Sequence, residues 1–161
     1  MRPPPAPATR TVAVLLASVV LALVSGCSFR SGTTESDAGW HTKADRTLGT
    51  AVSSVGTAEL LLKAAAEGRV THAYVVVAIR DTITVLGKDS EAFLSVQPPT
   101  GLRKEHLAAV QAVSAAEDLL DRASVAVTAS DSSARRAVLR ELRSEHASLS
   151  DLQSRLDKSA R

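Results

Sequence analysis

Three interruptions in a long helical pattern decide what this chain can fold into. From about residue 43 onward, apolar residues recur at steps of three and four, and the pattern breaks at Gly68, at Pro98-Pro99 and at Ala129-Ser130-Asp131-Ser132-Ser133. Steps of three and four gather side chains on one face of a helix. Gly suits a helix C-terminal cap, and Pro lacks the N–H that a helix needs. A Ser/Asp cluster makes a turn that carries the next N-cap. Four amphipathic segments of about 25 residues with short connections imply an all-α fold, an up-down-up-down four-helix bundle about 35–40 Å long. Burying four such stripes builds a core without metal or disulfide.

The first segment, residues 43–67, presents Leu48, Val52, Val55, Glu59, Leu62 and Ala66 on one face. Gly49 and Gly56 oppose it, each costing up to about 1 kcal/mol against Ala. The second, residues 71–96, has two competing readings. Tyr74-Val75-Val76-Val77-Ala78-Ile79 and Thr82-Ile83-Thr84-Val85-Leu86 have the β-branched content of two strands. However, Arg80-Asp81 lacks the Gly or Asn that a two-residue hairpin turn needs. Val76, Ile79, Ile83, Leu86 and Phe93 also share a helical stripe, interrupted by Ser90, and a helix is expected. The third segment is expected to run from an N-cap at Thr100 to Thr128, with a seam of Ala109, Val113, Ala116, Leu120, Ala123 and Val127. The fourth aligns Val138, Leu142, Leu149, Leu152 and Leu156, broken by Glu145.

Ahead of the bundle lies a targeting signal. Arg2 and Arg10 precede an uncharged stretch of 14 residues, Thr11 to Val24. That length fits a signal-peptide core and falls short of the roughly 20 residues of a membrane span. The stretch ends in Val24-Ser25-Gly26-Cys27, which resembles the lipobox of bacterial lipoprotein precursors, and Cys27 is the only cysteine. The resemblance implies recognition of Val24, Ser25 and Gly26 by a signal peptidase, cleavage before Cys27 and lipidation of its thiol. Two acyl chains give a lasting membrane hold where one binds marginally. Residues 1–26 are therefore expected to be a lipoprotein signal peptide. Residues 27–42, rich in Gly, Ser and Thr, are expected to be a lipidated Cys and flexible tether, and residues 43–161 the bundle. Trp40, the only tryptophan, is read as packing on the folded part.

Charge follows the same division. The chain has 19 Lys and Arg against 17 Asp and Glu. Removing residues 1–26 takes away Arg2 and Arg10 and no acid, which leaves 17 of each sign. The apparent basicity belongs to the export signal and argues against a nucleic-acid partner.

Chemistry-bearing residues are sparse. A carboxylate-bridged metal pair in a bundle needs Glu-x-x-His on two helices. The sequence contains none, and the adjacent Glu145 and His146 point about 100° apart. No catalytic residue, metal ligand or cofactor is expected. His41 and His106 fall at one end of an up-down bundle, His72 at the other and His146 midway, so they do not converge. Glu59, Glu117 and Glu145 lie on or beside the seams and are expected to reach water. Arg135, Arg136, Arg140 and Arg143, interspersed with Glu141 and Glu145, read as a solvated basic strip. Val77 and Val85 project from the polar side of the second helix and read as scattered exposed residues.

Thr57-Ala58-Glu59-Leu60, Ala73-Tyr74 and Phe93-Leu94-Ser95-Val96-Gln97-Pro98-Pro99 carry a second resemblance. Over about residues 57–125 the chain resembles small actinobacterial lipoproteins of uncharacterised function, in which a lipobox precedes a helical domain. The resemblance implies an extracytoplasmic, all-helical protein held at the cell membrane by the lipid on Cys27. The expected role is a non-enzymatic binding or interaction module at the cell envelope, with an envelope protein as partner. The alternative is an accessory carrier or sensor that holds a small molecule or metal between helices.

Overall fold

The computed structural model describes residues 35–160, which lie within one compact unit, Thr34–Arg161. Among the described residues are four α-helices: α1 (Asp37–Ala66), α2 (His72–Leu94), α3 (Arg103–Thr128) and α4 (Ser132–Ser159). A 3-10 turn, Thr100–Leu102, precedes α3. The fold is all-α, with no strand among the described residues. Residues 74–86 are helical throughout, and their threonines show why the β-branched run is tolerated. Thr82 and Thr84 donate their hydroxyls to the carbonyls of Ala78 and Arg80 one turn back, at 2.8 and 3.0 Å.

The folded part starts earlier than the apolar pattern suggests. Ser36 is extended, and its hydroxyl accepts from the Gly39 N–H at 3.1 Å, which starts α1 at Asp37. The Glu35 N–H donates to the Gln97 carbonyl at 3.2 Å, tying the incoming chain to the turn between α2 and α3. Trp40 is fully buried. Residues 35–42 therefore belong to the bundle and not to the tether that was expected over residues 27–42. A second boundary also moves. Thr100 lies in the 3-10 turn, and α3 begins after Leu102 with no side-chain cap, so Thr100 is not its N-cap. Thr71 does cap α2, accepting from the Tyr74 N–H at 3.3 Å.

Each connection has a local cause. Gly68 sits at φ +69°, the left-handed region that suits glycine. Its N–H reaches the Ala65 carbonyl at 3.1 Å, and the Arg69 N–H reaches Ala64 at 2.9 Å. These two bonds form a Schellman close to α1. Between α3 and α4, Ser130 takes the same left-handed position at φ 57° without being glycine. Asp131 then caps α4, its Oδ1 accepting from the N–H groups of Ser133 and Ala134 at 2.8 and 3.0 Å.

α1 contacts all three other helices. It runs antiparallel to α2, since Trp40 meets Phe93 while Thr50 meets Asp89. It also runs antiparallel to α4, since Asp45 meets Gln153 and Glu59 meets Arg143. Three neighbours require a wide buried face, so Trp40, Ala44, Ala51, Ser54 and Ala58 are buried beside Leu48, Val55 and Leu62. Val52 and Glu59, expected on the stripe, lie half-buried at its edges. Gly56 faces α4, where an added Cβ would meet the His146 ring in ordinary contact at 3.4 Å. The α3 seam is buried at every expected position, and in α4 Leu152 and Glu145 are half-buried. Among the described residues, the buried apolar side chains of the core fall between Trp40 and Leu156. The 34–161 unit thus carries the whole of that core and has what it needs to fold alone.

Candidate functional site

Two places bring polar chemistry against apolar packing, one at each end of α1. At the leading end, Trp40 lies between α2 and α3. Its indole Nε1–H donates to His106 Nδ1 at 3.1 Å, and its ring meets Phe93 at a centroid separation of 6.2 Å. His106 also lies 5.0 Å from the Phe93 ring, and His41 packs edge-on against Trp40 at 5.0 Å. The two histidines expected at this end are thus brought to one aromatic side chain rather than to each other. Loss of water around the His106 ring holds its pKa below the ordinary value.

At the far end, a cleft of about 290 Å³ opens between the last turns of α1 and the first turns of α4. Leu62, Ala65 and Ala66 line it from α1. From α4 come Ser132, Arg135, Arg136 and Leu139. This departs from a simple solvated basic strip. Arg143 reaches across to Glu59 at 2.9 Å, and Glu141 is held by Arg122 of α3 at 2.6 Å. Arg136 and Arg140 have no ion-pair partner among the described residues.

Of the other polar groups near the core, some pair with one another, while Glu105 Oε2 is buried without a hydrogen-bond partner among the described residues. Buried Ser90, which seemed to interrupt the α2 stripe, belongs to it and donates its hydroxyl to Glu117 Oε1 at 2.5 Å. Glu59, Glu117 and Glu145 are half-buried at the edges of the seams. Burial raises the Glu145 carboxyl above its ordinary range. His72 and His146 sit apart from the leading end, in the first turn of α2 and midway along α4. Among the described residues no group of three or more His, Cys, Asp or Glu side chains is placed to hold a metal ion. Val77 and Val85 are exposed at 59% and 55%.

Cys27 and the preceding Val24, Ser25 and Gly26 lie outside the described residues. No helix among the described residues is long and apolar enough to cross a membrane. The cleft was missed at the sequence level because its two walls lie about 70 residues apart in the chain. The adjacent Arg135 and Arg136 were its one visible signal. No protein-family model, curated protein or solved structure matches the chain.

Proposed function

We propose that this protein is a lipid-anchored, extracytoplasmic helical bundle that acts by binding at the bacterial cell envelope rather than by catalysis. The observation that carries the reading is the placement of Cys27 directly after Val24-Ser25-Gly26, eight residues ahead of Glu35, where the described bundle starts. Eight residues span at most about 28 Å when fully extended, so the leading end of α1 would stay close to the membrane surface. The resemblance to small actinobacterial lipoproteins supports the same location. Polar groups of the bundle pair with one another, Trp40 with His106 and Ser90 with Glu117 inside it and Arg143 with Glu59 at its surface.

Metabolic labelling with a fatty acid in the native host tests the anchor. The wild-type protein should take up label and fractionate with membranes, and Cys27→Ala should do neither. Equal labelling of Cys27→Ala would sink the reading. The cleft between α1 and α4 favours a second role on the same scaffold, the holding of a small molecule. Native mass spectrometry of the purified protein would detect a retained ligand.

A further inference from the structure

The cleft between α1 and α4 combines an apolar floor with two arginines, of which Arg136 has no ion-pair partner among the described residues. Leu62 and Ala65 form the floor from one side and Leu139 from the other, while Arg135 and Arg136 stand at its α4 wall. Asp131 faces Arg135 of the cleft by charge, and the acids at this end also have other partners. Asp131 accepts the hydrogen bonds that cap α4, Glu67 pairs with Arg69, and Glu141 pairs with Arg122. A guanidinium presents a planar fork of donors that matches a carboxylate. At the roughly 30 Å³ that a water molecule occupies in the liquid, 290 Å³ holds about ten non-hydrogen atoms.

We propose that this cleft binds a small amphiphile with a carboxylate head and a short unbranched alkyl chain. The head lies between Arg135 and Arg136, and the chain runs along Leu62, Ala65 and Leu139. An acyl carboxylate of about eight carbons has the required size, and about ten heavy atoms support an affinity near the millimolar range. The proposal gives a ligand class to the small-molecule reading and stands independently of any lipid on Cys27.

Octanoate is the probe, titrated into the 34–161 chain below its micelle concentration while backbone amide shifts are followed by NMR. Saturable shifts should appear at residues 62–66 and 132–139. The double variant Arg135→Gln/Arg136→Gln should weaken binding about tenfold, with helical content unchanged, because two charge-assisted bonds are lost. Arg140→Gln, outside the lining, should stay within about twofold of wild type. Octylammonium, with the same chain and opposite charge, should give no saturable shift at these residues. Equal binding of octylammonium overturns the proposal, as does unchanged binding by the double variant. So does an absence of shifts at about 10 mM octanoate. If native mass spectrometry finds another retained mass while octanoate fails, the carrier reading survives and this ligand class does not.

Discussion

The bond from Trp40 Nε1 to His106 Nδ1 fixes the tautomer that the fold contains: the accepting nitrogen bears no proton, so the neutral ring carries it on Nε2. Protonating Nδ1 would remove the acceptor and place a charge beside two aromatic rings. Burial already holds His106 below its ordinary 6.5. As pH falls, the unfolded chain therefore takes up this proton before the folded one does. The His106 contribution to stability is complete above about pH 6.5 and declines below it until the folded ring protonates. Glu145 has the opposite sign. Its raised carboxyl penalises the folded state when ionised, and that penalty fades as pH falls through the raised value toward 4.5. Melting temperatures at about pH 7 and pH 5.5 should therefore fall more steeply for wild type than for His106→Phe; equal slopes would refute the assignment. Trp40→Phe keeps most of the apolar bulk but leaves the imidazole nitrogen without its donor. It should cost about 1–3 kcal/mol in chemical denaturation.

Gly56 is a weak residue for a helix interior and a strong one for a helix pair. Alone it costs α1 about 1 kcal/mol relative to Ala, but it lets the His146 ring of α4 come against the α1 backbone. A branched or long side chain there must displace α4. Gly56→Leu is expected to destabilise by about 1–3 kcal/mol despite its better propensity, whereas Gly56→Ala, whose 3.4 Å contact is ordinary packing, should stabilise by up to about 1 kcal/mol. Urea unfolding of the two variants would separate helix propensity from helix approach. The same tension explains which elements were readable from sequence. In α3 the period alone named six of the eight buried positions from Ala109 to Val127, missing Leu119 and Ala126. α1 faces three partners, and its buried face is too wide for a single stripe to describe. The missed start had a signal all the same: stepping back from Leu48 by four reaches Ala44, and by four again Trp40, behind the Ser36 cap. The polar tether composition concealed it. Thr100 failed as a cap because the prolines before it lead into a 3-10 turn rather than directly into α3.

For the whole molecule, the class of fold was legible because Gly68, Pro98-Pro99 and the Ser/Asp turn divide a periodic chain wherever it goes. The candidate cleft was not, because it depends on residue 62 meeting residue 139, and no local pattern encodes a meeting of that range. The leading end lies between these cases. Glu35 bonds to Gln97, Trp40 to His106, and Phe93 packs on both rings, so three separate stretches of sequence close one end of the bundle. A chain starting at residue 43 would retain every residue of the stripe from Ala44 onward and lose this closure. The loss combines the burial of one large aromatic side chain, the α1 cap and the orphaned His106 nitrogen. Removing a buried Trp alone typically costs about 3–5 kcal/mol. At a few degrees per kcal/mol for a domain of this size, a 43–161 chain should melt about 10–20 °C below the 34–161 chain. Differential scanning calorimetry of the two decides the matter: equal melting temperatures would mean that the bundle is complete without Trp40. The expected difference would establish that residues 35–42 belong to the folded unit.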